Sequence, residues 1–289
     1  METSELLQKV RQIEIKTRGL SRNIFAGQYH TAFKGRGMAF SEVREYQFGD
    51  DIRNIDWNVT ARFNSPYVKV FEEERELTVM LLIDVSGSRI FGSTSQLKKT
   101  MMTEVAATLA FSAIQNNDKI GVIFFSDRIE KFIPPQKGRR HILYVIRELI
   151  GLEPVSTRTD LSRALEYMTN AIKKRCTAFV ISDFIDVRDF LTPLTIANRK
   201  HDIVALQIYD RRETCLPDVG LLRMKDAETG EVVLADASSK ALRKSYAQWW
   251  EKQQARLADS FRKSQVDNIS ISTEDDYVKA LMNLFNLRN

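Results

Sequence analysis

From Val79 onward the chain carries two patterns of apolar positions. Val79-Met80-Leu81-Leu82-Ile83 is an unbroken apolar run of strand length that stops at Asp84. A run apolar at every position predicts a strand covered on both faces. Ile120–Phe125 and Ala178–Ile181 repeat it, the latter ending at Ser182-Asp183, and Ile203–Ile208 is interrupted only by Gln207. Between the runs the spacing is helical. Leu97, Met101, Val105, Leu109 and Ala113 step by four and predict a helix over 95–115, with Ser93, Thr94 or Ser95 as its cap. Residues 129–133 predict a short returning strand before Pro134-Pro135, and further helices are predicted at 138–150, 160–174 and about 188–199. Residues 221–235 predict a hairpin turning at Glu228-Thr229-Gly230. A helix over about 238–264 lines up Leu242, Tyr246, Trp249, Gln253, Leu257 and Phe261, which puts Trp249 in the core and Trp250 toward solvent. A last strand at 269–272 and a last helix at 275–286 complete the pattern.

Strands that alternate with helices predict an α/β fold: a doubly wound, mostly parallel sheet with helices on both faces, over residues 76–289. Residues 1–75 break the rhythm and form an N-terminal extension. Leu6, Leu7, Val10 and Ile13 predict a short amphipathic helix within 4–16, residues 17–36 are basic and irregular, and Val68-Lys69-Val70-Phe71 predicts a strand. That strand runs almost directly into the first core strand, so the extension is expected to pack on the core.

Composition narrows the class. The chain has 289 residues, 43% hydrophobic and 28% charged, as in ordinary globular proteins. The net charge of +5 permits an acidic partner without demanding nucleic acid. Two cysteines, Cys176 and Cys215, fit a reducing compartment, and the scattered His30, His141 and His201 offer no zinc spacing. No apolar stretch approaches the roughly 18 residues of a membrane span, and the acidic start Met1-Glu2-Thr3-Ser4-Glu5 is unlike a signal peptide. A cytoplasmic location is expected, with peripheral membrane association open only through a partner.

In open parallel sheets ligands bind beyond the carboxyl ends of the strands. Asp84, Ser86 and Ser88 leave one such end at i, i+2 and i+4 through a turn loosened by Gly87. Asp183 follows another strand, and Thr159 stands just before a helix. Two carboxylates and three hydroxyls are hard oxygen donors and suit Mg²⁺ or Mn²⁺. Neutral hydroxyls leave the ion Lewis acidity for a carboxylate from another molecule. The plainer reading is a serine-rich turn in which Asp84 caps the next element.

Other features carry less. The acidic run Glu72–Glu76 reads as a solvated strand edge. Lys137-Gly138-Arg139-Arg140-His141 and Lys173-Lys174-Arg175 are basic clusters without interleaved aromatics, better read as solvated helix ends than as a nucleic-acid surface. Trp57 belongs either to a binding surface or to an anchor of the N-terminal block. Gly35-Arg36-Gly37 is too short for a nucleotide loop, and no nucleophile elbow occurs.

Asp84-Val85-Ser86-Gly87-Ser88, Thr159 and Asp183 resemble the metal-ion-dependent adhesion site of von Willebrand factor A domains. Arg44-Glu45-Tyr46-Gln47-Phe48-Gly49-Asp50-Asp51, Arg53-Asn54-Ile55-Asp56-Trp57 and Val68-Lys69-Val70-Phe71-Glu72-Glu73-Glu74-Arg75 resemble the bacterial family known as domain of unknown function 58. The resemblance runs from about residue 30 to the C-terminus and includes Ser182-Asp183-Phe184 and Thr273-Glu274-Asp275. It implies a von Willebrand factor A-like core with a Mg²⁺ site used in protein contacts. It further implies a role as adaptor or chaperone-like partner of a MoxR-type AAA+ ATPase, or of another von Willebrand factor A protein. Two positions depart from the pattern: Arg89 where relatives often carry an apolar residue, and Arg158 where many adhesion sites have Gly, with Thr157 as a substitute ligand.

Three function classes follow. The first is a non-enzymatic binding module whose Asp84, Ser86, Ser88, Thr159 and Asp183 hold Mg²⁺ and present it to a partner Asp or Glu. The second is a Mg²⁺-dependent phosphohydrolase with Asp84 as nucleophile, but the residue at i+2 is Ser86 rather than a general acid, and no lysine follows at a strand end. The third is a metal-free scaffold in which Arg89 is the counter-charge for Asp84.

Overall fold

The computed structural model describes residues 38–73, 77–92, 97–186 and 188–288, with Gln12, Tyr29 and Ala32 as isolated positions. The helix predicted within 4–16, Gly35-Arg36-Gly37, Glu74–Glu76 and the capping candidates Ser93, Thr94 and Ser95 lie outside the described residues. The chain divides into two compact units, Phe33–Leu77 and the remainder.

In the small unit, β1 (Met38–Glu45) pairs antiparallel with β2 (Tyr67–Glu73), with a register shift between Phe40 and Glu42. β2 contains the predicted strand; β1, whose apolar residues Met38, Ala39 and Phe40 run together and then give way to Ser41-Glu42-Val43-Arg44-Glu45, was not predicted. The connection holds a single 3-10 turn, Ile52–Asn54, and helix α1 (Trp57–Phe63). Charged residues fasten this excursion. Asp50 receives both Arg44 Nη1 and Nη2 at 2.8 Å and the Gln47 N–H at 2.8 Å. Asp56 accepts from the Asn58 and Val59 N–H groups at the start of α1 and pairs with Lys69 at 3.4 Å. The family-like block is thus a structural staple, and Trp57, 70% exposed, is no buried anchor.

The large unit is built on a six-stranded sheet in the order β10-β7-β6-β3-β4-β5. Its strands are β3 (Thr78–Asp84), β4 (Lys119–Phe125), β5 (Ile129–Gln136), β6 (Thr177–Ser182), β7 (Asp202–Tyr209) and β10 (Asp267–Ser272). Every pairing is parallel except β4–β5. The helices are α2 (Lys98–Gln115), α3 (Arg139–Gly151), α4 (Leu161–Ala171), α5 (Leu191–Lys200), α6 (Lys240–Ser264) and α7 (Tyr277–Arg288). Hairpin β8 (Leu221–Lys225) and β9 (Val232–Asp236) stands apart from the sheet. This is the doubly wound, von Willebrand factor A-like α/β architecture expected from the sequence.

Four details differ. The returning strand β5 continues through Pro134 and Pro135, which an edge strand tolerates because one side of its ladder is unpaired. Opposite it Gly121 leaves room: a Cβ there would meet Met80 Sδ at 2.7 Å and the Ile133 carbonyl at 2.9 Å. Helix α2 starts behind Leu97, which makes no side-chain cap, so no serine or threonine caps it at this point. It is buried all round from Met101 to Ala113, because it packs on β3, β4, β6 and β7 and against α3. On α6 the tryptophans exchange roles: Trp250 is buried against Tyr209, while Trp249 is 42% exposed. Trp250 shares a stripe with Leu257 and Phe261, a spacing as helical as the one that selected Trp249.

Candidate functional site

Asp84 closes β3, and the chain leaves through a 3-10 turn, Gly87–Ile90. The Ser86 N–H donates to Asp84 Oδ1 at 2.9 Å, and the Ser86 and Ser88 hydroxyls lie 3.2 Å apart. Asp84 and Ser86 are buried and Ser88 is half-buried. The parallel neighbour β6 brings the second element. Ser182 Oγ donates to Asp84 Oδ2 at 2.7 Å and accepts from the Phe184 N–H at 3.0 Å. Asp183, also buried, accepts from the Ile185 N–H through Oδ1 at 3.1 Å.

The third element is the loop before α4. Glu130 on β5 accepts the Val155 and Ser156 N–H groups, both at 3.1 Å, and the Asp160 N–H donates to the Ser126 carbonyl at 3.0 Å. The loop is joined to the serine turn by the Gly87 N–H, which donates to the Thr157 carbonyl at 2.8 Å. Thr159 is buried, and its hydroxyl makes no hydrogen bond. Thr157, considered as a substitute ligand, instead donates to the Glu228 carbonyl at 2.7 Å, and Arg158 is exposed.

Electrostatics add residues that sequence reading missed. Burial and the nearby Asp183 carboxylate push Asp84 up to about 6, against the hydrogen bonds from Ser182 and Ser86. Lys98, the first residue of α2, is wholly buried and donates to Asp183 Oδ2 at 2.8 Å and to Glu213 Oε1 at 2.6 Å. Burial disfavours its ammonium, but the two carboxylates outweigh that and raise its pKa. Glu213 is itself held by a capping box with Asp210, which receives the Thr273 hydroxyl at 3.0 Å. The available signal was Asp210-Arg211-Arg212-Glu213 directly after a strand, a capping-box spacing. Lys98 carried no signal, since one lysine at a helix start is unremarked in sequence. Arg89 does not contact Asp84 as expected of a counter-charge. It is buried, and its Nη2 donates to the Leu152 carbonyl at 2.9 Å. Its charge is felt by Asp84 only at longer range, and burial lowers its pKa.

The structure therefore joins Asp84, Ser86, Ser88 and Asp183 and ties the Thr159 loop to them. By type these are hard oxygen donors, of the kind that a small divalent cation takes. An ionised carboxylate oxygen that accepts one hydrogen bond keeps a second lone pair. A buried hydroxyl without a partner, as at Thr159, is the kind of atom that a ligand satisfies. Opposing this, Lys98 already covers Asp183. Among the described residues no group of three or more His, Cys, Asp or Glu could hold a metal, so the fit rests on the hydroxyls.

The histidines lie elsewhere: His141 Nε2 is 2.8 Å from the Ile120 carbonyl, and His201 Nδ1 is 3.3 Å from Cys176 Sγ. Arg139 and Arg140 begin α3, and Lys173, Lys174 and Arg175 follow α4, all of them exposed apart from the site. No described helix is long and apolar enough to cross a membrane.

Residues 42–256 match the model of the family described as "Protein of unknown function DUF58". An uncharacterized protein of Mycobacterium tuberculosis (strain ATCC 25618 / H37Rv), Rv1480, is 29% identical over 276 residues, covering 95% of this chain and 87% of its own. Among solved structures, the conserved hypothetical protein BatB from Bacteroides thetaiotaomicron has a TM-score of 0.50 at 15% identity, over 73% of this chain and 98% of that one. An aerotolerance-related membrane protein from Bacteroides fragilis NCTC 9343 has the same TM-score and coverage at 14% identity. With its family-specific block and its von Willebrand factor A-like core, the chain belongs to the DUF58 family.

Proposed function

We propose that this chain is a protein-interaction module that holds Mg²⁺ or Mn²⁺ through Asp84, Ser86, Ser88, Thr159 and Asp183 and offers it to an Asp or Glu of a partner protein. The observation that carries this reading is the buried, unpartnered Thr159 hydroxyl on a loop tied to the serine turn. The ion, when bound, would supply a hard Lewis-acid contact for a carboxylate. The Ser86 N–H and the Ser182 hydroxyl orient Asp84 for that role. The family resemblance points to a MoxR-type AAA+ ATPase as the partner. Both Asp84 oxygens accept hydrogen bonds, and the residue two positions on is Ser86, which supports binding over a phosphohydrolase using Asp84 as nucleophile. A second reading, a metal-free scaffold, is favoured by Lys98 on Asp183.

The test is calorimetric titration of Mg²⁺ and Mn²⁺ into chelator-treated protein, wild type beside Asp84→Ala. Wild-type binding that the variant loses is expected, followed by Mg²⁺-dependent capture of the ATPase. Capture that persists in chelator, or in Asp84→Ala, overturns the metal reading. A wild type that binds neither ion favours the scaffold.

A further inference from the structure

Helix α6 holds the net charge of the whole chain. Its 25 residues carry seven Lys or Arg against two acids, Glu251 and Asp259, a net charge of +5. The 289 residues together also sum to +5, so the rest of the chain is neutral. Three of the seven cations are paired: Arg243 with Asp218 at 2.9 Å, and Arg262 and Lys263 with Asp259 at 2.5 and 2.7 Å. The other four, Lys240, Lys244, Lys252 and Arg256, are exposed and make no ion pair among the described residues.

Spacing puts these four on one line. Residues 240, 244, 248, 252 and 256 follow one another by four and form a single ridge along the helix, with only the uncharged Gln248 between the two cation pairs. At 1.5 Å per residue the row spans about 24 Å. The core does not use it, since the buried residues Trp250, Leu257, Phe261 and Ser264 lie on another face. The helix itself is weakened by it. Like charges four apart repel, and Lys240 and Lys244 stand in the first turns, where the helix dipole disfavours cations. No acidic residue offsets them in the first turn. A row that opposes its own helix and packs against nothing is suited to a partner.

The neighbouring residues indicate which partner. Trp249, 42% exposed, stands on the next ridge behind the small, exposed Ala241 and Ser245. An aromatic beside arginine and lysine is the composition of a protein interface. An i+4 ridge packs into the groove of a second helix. Trp249 and Leu242 are the large apolar residues exposed on α6, too few to enter a bilayer or to stack successive bases.

We infer that the outer face of α6 is the docking surface for an acidic helix of a partner protein. Carboxylates at four-residue spacing would meet Lys240, Lys244, Lys252 and Arg256, and an apolar side chain would cover Trp249. This surface goes beyond the metal reading and needs no ion at the strand ends.

The experiment uses the full chain in chelator. Its probe is a fluorescein-labelled, alanine-based helical peptide with Glu at every fourth position and one Leu, read by fluorescence anisotropy. Wild type should bind it, and less tightly as added salt screens the charges. The triple variant Lys244→Gln, Lys252→Gln, Arg256→Gln should bind about tenfold more weakly, close to a factor of two per exposed ion pair. Glutamine keeps the helix propensity, so this variant should melt at the wild-type temperature or above it. Lys173→Gln, Lys174→Gln, Arg175→Gln removes the same charge after α4 and should bind as wild type does. A wild type that does not bind the peptide, a triple variant of equal affinity, or an equal loss in the α4 control overturns the inference. So does a triple variant that melts below wild type, which would assign the row to the fold. Tighter capture of phosphatidylglycerol vesicles or of a single-stranded oligonucleotide, lost in the triple variant, overturns the acidic helix as occupant.

Discussion

Lys98 Nζ lies 2.8 Å from Asp183 Oδ2, with both side chains shut off from solvent. The same ammonium reaches Glu213 at 2.6 Å, so one cation is shared between two carboxylates. Removing one partner of a buried pair leaves an uncompensated charge, which costs more than the pair contributes. Lys98→Met is therefore expected to destabilise the protein by about 3–5 kcal/mol in chemical denaturation. Adding Glu213→Gln to Lys98→Met should recover part of that loss. A Lys98→Met protein as stable as wild type would show that the triad has no such role.

Gly87 is required by a close approach, not by its backbone angles. A methyl group at this position meets the Ala227 carbonyl and, at 3.2 Å, the Thr157 Cβ. Gly87→Ala should lift the hairpin tip, so that hydrogen exchange accelerates at the Gly230 N–H while the amides of β3 and β6 stay protected. Unchanged exchange at residues 226–230 would mean that the tip is held by something other than this contact.

His201 is buried, with Nδ1 against Cys176 Sγ at 3.3 Å and Nε2 without a hydrogen bond. Burial, then the charges of Lys200 and Arg175, bring its pKa from 6.5 down to about 4. Burial and then Asp202, beside His201 in sequence, push the Cys176 thiol up to about 12, against the opposing charge of Lys200. Between pH 6.5 and about 4 the unfolded chain takes up a proton at this position that the folded chain refuses. The His201 contribution to stability is thus complete above pH 6.5 and is lost as the pH falls toward 4. Denaturation midpoints measured across that range should fall by a smaller amount in His201→Gln than in wild type.

The two tryptophans of α6 separate by burial, 8% exposed for Trp250 against 42% for Trp249. Trp250→Ala should cost about 3 kcal/mol, as large-to-small changes in a core do. Trp249→Ala should cost less than about 1 kcal/mol. Equal losses in thermal denaturation would contradict the assignment.

Much of the fold is legible in the local pattern. The runs at Val79–Ile83 and Ala178–Ile181 are apolar at every position because both faces of the sheet are covered, and that composition has few alternatives. The choice between Trp249 and Trp250 was not legible, because two helical stripes fit the same sequence and only the neighbour Tyr209 selects one. β1 was not legible because Met38-Ala39-Phe40 and Ser41-Glu42-Val43-Arg44-Glu45 do not keep one alternation, and the register shift between Phe40 and Glu42 breaks the period of two.

The sequence by itself determined the parallel α/β core and the placing of Asp84, Ser86, Ser88, Thr159 and Asp183 at strand ends and loops. Strand ends are set by hydrophobic runs, and their side chains converge wherever parallel strands are neighbours. Only the tertiary structure decided what stands around those donors. Lys98 meets Asp183 from 85 residues before it, Glu213 meets Lys98 from 115 residues after, and the Glu228 carbonyl arrives on a hairpin to take the Thr157 hydroxyl. Such groups interact through distance and burial alone, which a linear pattern does not record, and in a buried site they set the charge that any ligand meets.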